Sequence, residues 1–392
     1  MPIKLSIIIP TKDRYYYLEY CLRAISLSYN RPDVEIIVTD NSRSRQDVKA
    51  LSLFQNLKYF YFDEPLSQVE NFEYAMQNVS GDFVTMIGDD DGLSGTLLDV
   101  INYMENNKVD ALVSPFVSYF WPDVITKNLA NDVTGKIFLK KYNYEISLIS
   151  IQKEITRCLS LGGTSLCNLP RMYYGILKRD LLNKVKEASG YFFPGPSPDM
   201  ANAFSSAIFA NSLVLFDAPL FIAGNSSKSA AGLGLAGKHS GKIKDNPMLP
   251  KDCFDNWTIL VPRFWSGPTI WAESLHRVLF LTKQQEYLKR FNYSRLYASC
   301  LVFHSEYSQQ IYDAIDQFSV ETATKFIPLL IQFEKIKIFF LRAKHLLRNI
   351  LNRFGNLQGK VFSDIGDVEA ATYVLRENDV IILEKLRLNV SE

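Results

Sequence analysis

Short apolar runs alternate with helix-period patterns through the first 115 residues of the chain. The runs are rich in Ile, Val and Phe, and they predict strands at residues 5–9, 34–38, 57–62, 83–87 and 111–113. Between them, apolar residues recur at steps of three and four, which predicts helices at residues 16–28 and 94–106 and a third that begins at the capping pair Ser67 and Glu70. Strands separated by helices and short joints are typical of βαβ units, so this part predicts an α/β domain with a mostly parallel sheet.

Polar side chains follow three of the predicted strands where each strand ends. Thr11 and Asp13 follow the first strand, Asp40 follows the second, and three consecutive aspartates, Asp89 to Asp91, follow the strand at 83–87. The carboxyl ends of parallel strands meet at one edge of a sheet, and open α/β sheets bind their ligands there. We therefore expect these side chains to converge. Taken alone, Asp40 also fits a turn, because Asp-Asn-Ser is common turn chemistry.

The three adjacent aspartates are the strongest chemical signal in the chain. Neighbouring carboxylates repel one another and are costly to bury, so the cluster needs a counter-charge. A hard divalent cation prefers carboxylate oxygens, would supply that charge and could hold a diphosphate. The alternative is a solvated Asp-Gly turn that ends at Gly92.

Residues 116–249 show fewer repeated elements than the first part of the chain. Ser197, Pro198 and Asp199 predict the start of a helix, with Ser197 as the N-cap and Pro198 at the first helical position. An acidic residue in a first turn is ordinary, because it complements the helix dipole. From the pattern alone, Asp199 is a weak catalytic candidate, and we expect a low pKa for its carboxyl group.

Residues 225–240 are small, polar and rich in glycine, which predicts a mobile loop. Their glycines nearly match two phosphate-binding motifs. Both motifs require a strand just before and a helix just after, and neither flank fits. Lys238 and His239 in such a loop could close over a bound phosphate, and an exposed linker is the alternative interpretation.

From about residue 250 onward the chain predicts helices. Between residues 334 and 354, one stripe at helical spacing holds Ile336, Phe340, Ala343, Leu347, Ile350 and Phe354. The other faces carry six basic side chains and the single acid Glu334. A basic amphipathic helix of this kind suits an anionic membrane surface. A helix packed on a core with a solvated basic face is the alternative.

Composition excludes several classes of protein. The 392 residues are enough for two or three domains, and 47% hydrophobic residues indicate a globular protein. A net charge of +1 gives no general signal for a nucleic-acid partner. The five cysteines are scattered without a CxxC pair, which argues against a disulfide scaffold and a zinc site. The first residues lack a signal-peptide pattern and no run reaches the ~18 apolar residues of a spanning helix, so we expect a soluble or surface-attached protein.

The order of motifs in residues 1–115 resembles family 2 glycosyltransferases of the GT-A fold. The matching segments are residues 6–14, residues 36–42, Asn71 with Ala75, residues 81–84 and residues 88–91. The resemblance implies a Rossmann-like GT-A half at 1–115 that binds a nucleoside-diphosphate sugar, an acceptor-binding half at 116–249 and a helical region at 250–392. It also implies a set of residues around the base and ribose of the donor, with Asn71 nearby: Pro10, Thr11, Asp13, Arg14 and Asp40.

The same resemblance implies that Asp89 to Asp91 hold a divalent metal, Mn²⁺ or Mg²⁺, and the diphosphate. The family often shows Leu-Asp-Ser-Asp-Asp at this place, and Gly88 replaces the first of those aspartates. Matching the downstream leucine at Leu98 makes Asp90 and Asp91 the metal pair and places Asp89 toward the ribose. The other register makes Asp89 and Asp91 the metal pair.

Residues 197–200, followed by residues 217–224 and the serine-rich loop, look like the acceptor half of bacterial members of this family. In those members the acid at this place is the general base, which implies that role for Asp199. The implied protein is a metal-dependent inverting glycosyltransferase of the hexosyltransferase type. It would add a sugar to a glycan or lipid-linked acceptor of a bacterial surface polysaccharide such as O-antigen or capsule, in the cytoplasm or at the inner face of the membrane.

Two other functions fit parts of the pattern. A sugar nucleotidyltransferase also uses a parallel sheet and a divalent metal, but it is expected to show a glycine-rich loop after the first strand, and residues 10–14 contain no glycine. An inactive scaffold subunit of a polysaccharide assembly complex would bind no nucleoside diphosphate. The sequence leaves open whether the helix after residue 330 contacts lipid or a second copy of the chain.

Overall fold

A computed structural model of the protein describes residues 2–125, 133–235, 240–323, 327–354 and 359–388. The strands in chain order are β1 Leu5–Thr11, β2 Val34–Asp40, β3 Leu57–Tyr61, β4 Phe83–Met86, β5 Gly92–Leu93, β6 Ala111–Val113, β7 Phe116–Phe120, β8 Lys136–Leu139, β9 Ile146–Leu148, β10 Gly175–Lys178, β11 Leu213–Phe216, β12 Phe221–Asn225, β13 Ser240–Gly241, β14 Trp265–Ser266 and β15 Lys360–Phe362. The helices are α1 Tyr15–Tyr29, α2 Gln68–Gln77, α3 Leu97–Asn106, α4 Ile151–Ser160, α5 Arg179–Ser189, α6 Pro198–Phe209, α7 Ala230–Leu235, α8 Gly267–Leu281, α9 Tyr293–Phe303, α10 Ser308–Thr322, α11 Ile327–Phe354 and α12 Val368–Leu388.

Eight strands form the main sheet, in the order β3-β2-β1-β4-β10-β6-β11-β9. β1 pairs in parallel with β2 and β4, and β2 pairs in parallel with β3. β10 lies antiparallel between β4 and β6. The predicted α/β fold with a helical C-terminal region is confirmed, and the main sheet is mixed because β10 and β9 run against their neighbours.

The main sheet is buried on both faces, which explains why its central strands are apolar throughout. Ile8 belongs to a core that includes residues of α2, α6, α8 and α9. Ile7 and Ile9 belong to the opposite core, which includes residues of α1, α3 and α12. Alternate residues of one strand point to opposite faces, so β1 contributes to both cores.

The main sheet and its cores draw on all three predicted regions of the chain. β9, β10 and β11 lie beyond residue 115 and complete the main sheet. A second sheet has the order β15-β8-β7-β12-β5, so a strand from the C-terminal region joins strands from the first two regions. α12 packs beside α1 in the second core. The divisions at residues 115 and 249 therefore do not coincide with divisions between sheets or cores.

The capping box that the sequence predicts at Ser67 is present. The Ser67 hydroxyl accepts a hydrogen bond from the Glu70 amide at 3.2 Å, and the Ser67 amide donates to the Glu70 carboxylate at 2.7 Å. These bonds satisfy two backbone groups at the start of α2 and set where the helix begins. α2 starts near the carboxyl edge of the main sheet, next to the site described below.

The described residues of this segment, 225–235 and 240, are more ordered than the predicted loop. Asn225 ends β12 and is paired with Phe120 of β7, α7 spans Ala230–Leu235, and Ser240 begins β13. Backbone pairing in the second sheet gives β12 a regular structure that composition does not indicate. Lys238 and His239 lie outside the described residues.

One face of α11 packs toward α9, and it is not the face that the sequence predicts. Ile331 and Ile338 are buried, and Glu334 is buried beside Arg295 of α9, 3.4 Å away. The predicted stripe is exposed instead: Ile336 is 53% exposed, Phe340 73% and Leu347 57%. The core-packed alternative is therefore wrong for the described large side chains of this stripe, Ile336, Phe340 and Leu347. The side chains of Ile350 and Phe354 are not described, and none of the described helices is long and apolar enough to cross a membrane.

Candidate active site

The carboxyl ends of β1, β2 and β4 meet at one edge of the main sheet. Thr11 is opposite Asp40 in the register of β1 and β2, and the turn that holds the three aspartates follows β4. The Thr11 hydroxyl donates a hydrogen bond to Oδ2 of Asp89 at 2.6 Å. The strand ends that the sequence predicts to converge lie together in the structure.

Arg14 precedes α1 and supplies positive charge to the aspartates. Its guanidinium lies 3.1 Å from Oδ1 of Asp89 and 2.6 Å from Oδ2 of Asp90, and both carboxylates are buried. It also donates a hydrogen bond to the Ser226 hydroxyl at 3.0 Å. Removing one partner from such a cluster leaves a buried charge uncompensated. The family resemblance implies a place for Arg14 beside the base and ribose, and its charged end contacts the carboxylates instead.

Two carboxylate oxygens in this cluster remain for a ligand. Oδ1 of Asp89 is buried and accepts no hydrogen bond, although it lies within ion-pair distance of Arg14. Asp90 uses Oδ2 to accept from the Ser226 amide and hydroxyl, and no described residue donates to its Oδ1. Burial raises the pKa of Asp89 despite the nearby Arg14 charge, so further positive charge at this place is favourable.

The donor set of Asp89 and Asp90 fits a hard divalent cation. Mg²⁺ and Mn²⁺ prefer carboxylate oxygens, and Mg²⁺ is usually held by one or two carboxylates together with phosphate oxygens and water. Within the described ranges, no group of three or more His, Cys, Asp or Glu side chains is arranged to hold a metal. A cation here would therefore need oxygens from a bound diphosphate.

Asp91 does not line the cavity and is occupied by protein donors. Its Oδ2 accepts from the Gly88 amide at 2.6 Å and from the hydroxyls of Tyr173 and Tyr174 at 3.1 and 3.0 Å. Its Oδ1 accepts from the Gly224 amide at 2.7 Å. Both oxygens are thus used to hold the turn against the second sheet. This geometry disagrees with the sequence-based assignment of Asp91 as a metal ligand in either register.

Asp40 lies at the predicted edge but is not part of the cavity wall. Its Oδ2 accepts from the hydroxyls of Tyr15 and Tyr59, each at 2.6 Å, and its Oδ1 accepts from the Ser42 amide at 2.8 Å. The side chain is fully buried. It therefore ties the end of β2 to α1 and β3, and the predicted contact of Asp40 with the base or ribose disagrees with this arrangement.

A cavity of about 610 Å³ lies beside this edge of the sheet. Its wall includes most of the residues that the sequence predicts: Pro10, Thr11, Asp13, Arg14, Asn71, Asp89, Asp90 and Asp199. The Asn71 amide donates to the Thr39 carbonyl at 3.3 Å, while its Oδ1 is buried without a partner. A buried acceptor is costly to leave unpaired, so this oxygen suits an N–H or O–H group of a ligand.

Asp199 lies in the first turn of α6 and faces the same cavity. A separate and very small pocket also borders Asp199, and its lining includes Phe72, Met86 and Phe193. Burial raises the pKa of Asp199 above its usual 3.8, and the charge of Arg171 offsets this only in part. The low pKa expected from the helix start is therefore wrong, because loss of water around the carboxylate outweighs the favourable helix dipole.

Contacts with neighbouring elements hold the start of α6 in place. The Ser197 amide donates to the Ser274 hydroxyl of α8 at 2.8 Å, and Asn202 accepts from the Met172 amide at 2.9 Å. Ser197 is the N-cap residue, as predicted, but its side chain makes no capping hydrogen bond. Asp199 is thus positioned by packing and by neighbours rather than by a local cap.

Several residues at the site are missing from the sequence-based set. Tyr173, Tyr174 and Lys228 line the cavity, and Ser226 bonds to Asp90. The two tyrosines reach the site because β10 inserts beside β4, which no local pattern indicates. Ser226 directly follows β12. Like Thr11, it is a polar residue at the carboxyl end of a strand, and this pattern could have identified it.

Comparison with known proteins adds a family to this geometry. Residues 6–159 match the family described as Glycosyl transferase family 2. A curated relative from Campylobacter jejuni, GalNAc(5)-diNAcBac-PP-undecaprenol beta-1,3-glucosyltransferase, is 39% identical over 146 residues. The aligned part is 34% of this chain and 43% of the relative, so the chain spans less than half the length of that enzyme.

Solved structures of S. aureus TarS have a distant likeness to this chain. One covers 86% of this chain and 54% of TarS, with 16% identity and a TM-score of 0.43. Another contains residues 1–349 of TarS in complex with UDP-GlcNAc; it covers 82% of this chain and 93% of that one, with 14% identity and a TM-score of 0.45.

Proposed function

We propose that the protein moves a sugar from a nucleoside-diphosphate sugar to a hydroxyl group of an acceptor. The reason is that the N-terminal part of this chain is a family 2 glycosyltransferase domain. One observation carries the proposal: Asp89 and Asp90, which suit a cation-bound diphosphate, share a cavity with the isolated carboxyl of Asp199. The name of the Campylobacter relative includes a glycan joined to PP-undecaprenol, which supports a glycan or lipid-linked acceptor here. Such an acceptor belongs to a bacterial surface polysaccharide, either O-antigen or capsule.

Asp199 is the general base in this proposal. Its carboxylate takes the proton of the acceptor hydroxyl while the hydroxyl oxygen bonds to the anomeric carbon and the bond from that carbon to the diphosphate breaks. Attack on the face opposite the leaving diphosphate inverts the configuration in one step. A raised pKa makes the carboxylate a better base than an ordinary Asp, and its place on the cavity wall leaves it accessible to the acceptor.

The donor nucleotide occupies the part of the cavity between β1 and α2. Oδ1 of Asn71 is the unpaired acceptor in this region, and Pro10, Thr11 and Asp13 form the facing wall. An N–H group of a base or a ribose hydroxyl would satisfy Asn71. Lys228 also lines the cavity and is a candidate for contact with the phosphates. The sequence assigns this role to Lys238, which lies outside the described residues.

A divalent cation, Mn²⁺ or Mg²⁺, would be held by Oδ1 of Asp89 and Oδ1 of Asp90 together with diphosphate oxygens. When bound, it would stabilise the negative charge that develops on the departing nucleoside diphosphate. Arg14 holds the two carboxylates in position and partly neutralises them before the donor arrives.

The purified protein is expected to melt at a higher temperature with one nucleoside diphosphate and Mn²⁺ than with Mn²⁺ alone. A ligand present at one hundred times its Kd stabilises the folded state by about 2.7 kcal/mol. Thermal melts with the diphosphates UDP, GDP and dTDP, and with the monophosphate CMP for comparison, each with Mn²⁺ or with EDTA, would identify the base. If all four leave the melting temperature unchanged, the transferase proposal fails and an inactive scaffold is favoured.

We also propose that α11 brings the enzyme to an anionic membrane surface. The helix exposes a series of large apolar side chains to solvent: Leu329, Leu330, Phe333, Ile336, Phe339, Phe340, Leu341 and Leu347. Its only acid, Glu334, is buried and paired with Arg295 and Lys337. Basic residues therefore supply the net charge of the exposed surface, and this charge complements anionic lipid headgroups. A second copy of the chain would gain the apolar contacts but would meet like charge.

This placement connects the membrane to the active site through packed helices. α11 contacts α9, α9 contacts α8, and α8 contacts α6, which begins beside Asp199. A helix that lies on the inner face of the membrane would hold the general base at a constant depth relative to a lipid-linked acceptor. The protein would then be peripheral to the membrane.

The protein is expected to float with vesicles of phosphatidylcholine and phosphatidylglycerol, and to do so less at high salt. Replacing Leu329 and Phe340 by Ser removes the two most exposed apolar side chains among those described in α11, and it should weaken flotation by at least about tenfold. Phe280→Ser on α8 is the matched control, since Phe280 is 59% exposed on another helix and its change should have no effect. Vesicle binding that survives the double change, or a dimer that this change dissociates, would overturn the membrane assignment.

A further inference from the structure

A second cavity, of about 560 Å³, lies on the other side of α2 and takes no part in the chemistry described above. We call it the side groove; it is bounded by α2, the loop at residues 190–196 and α8. Asn71 and Phe72 of α2 face the active-site cavity, while Glu73 and Tyr74 face the side groove. Leu66, just before α2, lines both. The two cavities therefore adjoin at the start of this helix.

The walls of the side groove combine aromatic rings with hydrogen-bonding side chains. Phe62 and Tyr74 form an edge-to-face pair with ring centroids 4.6 Å apart, and Tyr191 is 50% exposed on the opposite loop. Aromatic rings pack against the C–H faces of sugar rings and lose little conformational freedom in doing so. Gln77 and Asn256 add amide groups that both donate and accept.

The charges of the side groove argue against an anionic ligand. Four carboxylates line it, with two cationic side chains: Glu70, Glu73, Asp252 and Glu273, with Lys186 and Arg277. An excess of carboxylates repels a nucleotide, a phosphate or an acidic sugar. The same groups accept hydrogen bonds from hydroxyls, so the lining suits a neutral sugar chain.

Two of these carboxylates are held in place by backbone groups. Glu273 is buried, and its two oxygens accept from the Thr258 amide at 2.9 Å and the Thr258 hydroxyl at 3.2 Å. Glu73 accepts from the Phe193 amide at 2.6 Å through Oε1, and the Phe192 amide is a second backbone donor to the same carboxylate. Burial raises the pKa of both groups. The backbone thus orients the Glu73 carboxylate on the wall of the groove, where its oxygens can accept from a sugar hydroxyl.

The loop that forms one wall of the side groove leads directly to the general base. Residues 190–196 end at Ser197, and Asp199 follows in the first turn of α6. The loop is packed tightly against α8, because a Cβ on Gly195 would lie 2.9 Å from Cα of Ser274. The Ser197 amide also bonds to the Ser274 hydroxyl. A ligand on this loop is therefore held in a set position relative to Asp199.

We infer that the side groove binds the sugar chain of the acceptor, at units beyond the one that is glycosylated, and that this chain is neutral. The inference rests on the proposed function, since it assigns the groove to the acceptor of that reaction. In this arrangement the end unit of the acceptor reaches Asp199 past Leu66, and the following units lie against Tyr74 and Tyr191.

The full-length protein is expected to retain neutral oligosaccharides on a printed array of bacterial surface glycans and to ignore acidic ones. Tyr191→Ala should weaken retention roughly tenfold, because one stacking surface is lost. Glu73→Gln should also weaken it, since the amide keeps an acceptor for Phe193 but presents an altered group to the sugar. Tyr312→Ala is the matched control: Tyr312 is 52% exposed on α10, away from the groove.

Binding of nucleotides in the presence of Mn²⁺ is measured on the same samples, with UDP, GDP, dTDP and CMP. This measurement separates the transferase proposal from the assignment of the side groove. Loss of glycan retention in the groove variants, with nucleotide binding unchanged, supports the assignment. If the wild-type protein binds a nucleotide but retains no glycan, the assignment of the side groove to the acceptor is wrong. The transferase proposal would still stand. Glycan retention that survives in the Tyr191→Ala and Glu73→Gln double variant would overturn the assignment of the side groove as well.

Discussion

An Asp199→Asn variant is expected to turn over substrate ~10²- to 10⁴-fold more slowly than the wild type, the usual contribution of a general base. The amide cannot take the acceptor proton but has nearly the same size, so α6 and the cavity should keep their shape. The Kd for the nucleoside diphosphate should change little, because the proposed donor contacts lie at β1, α2 and the aspartate turn. Initial rates and calorimetric binding on the same sample would separate the two effects.

Asp180→Asn provides a matched control for this experiment. Asp180 occupies the same helical position in α5 as Asp199 does in α6, but it is exposed to solvent. Its replacement should leave turnover within a factor of about two, since surface substitutions away from a site have small effects. Equal rates for wild type and Asp199→Asn would remove Asp199 from the mechanism.

The pH dependence gives a second check on the same residue. Asp199 acts as a base only when deprotonated, and burial raises its pKa above 3.8. As the pH falls, kcat/KM should therefore begin to decline above that value. A rate that stays constant down to pH 3.8 would contradict the raised pKa.

An Asp90→Asn variant is expected to lose most of the metal-dependent part of nucleotide binding, by roughly a hundredfold. The free Oδ1 of Asp90 is one of two carboxylate oxygens available to a cation, and an amide oxygen carries no charge to hold it. Asp91→Asn should behave differently. Its amide nitrogen would face the Gly88 or Gly224 amide, and a buried donor without an acceptor costs about 1–3 kcal/mol of stability.

Calorimetry with UDP, GDP, dTDP or CMP, with Mn²⁺ and with EDTA, and urea unfolding of both variants would distinguish these roles. The geometry predicts loss of metal-dependent binding in Asp90→Asn, together with some loss of stability because Arg14 loses a buried partner. It predicts a stability defect with metal-dependent binding retained in Asp91→Asn. If Asp91→Asn kept wild-type stability and lost the metal-dependent binding, the sequence-based register with Asp90 and Asp91 as ligands would be correct.

Much of the N-terminal fold follows from short stretches of the chain. The apolar runs at residues 5–9 and 34–38 indicate buried strands, and the capping pair at Ser67 marks the start of α2. Strand direction then brings Thr11 and Asp89 to one edge of the sheet. Each step depends on neighbours in sequence or on a general rule of sheet geometry, so it can be derived without coordinates.

The chemistry of individual carboxylates cannot be derived in this way. Asp91 is occupied by Tyr174 and Gly224, which lie 83 and 133 residues away in the chain. Asp40 is occupied by Tyr15 and Tyr59, and the pKa of Asp199 depends on which side chains exclude water around it. Each outcome depends on contacts between distant segments, and no local pattern records them.

The amino-acid order alone was enough to place the strands and helices of the first 115 residues and to bring their acids to one edge of the sheet, because propensity, capping and strand direction act over a few residues. Only the packed molecule decided which of those acids faces a ligand, which face of α11 meets solvent, and that a groove continues past α2. Burial and hydrogen-bond partners depend on how all the elements pack together. They set the charge and the pKa of a carboxylate and decide whether a ligand can reach it.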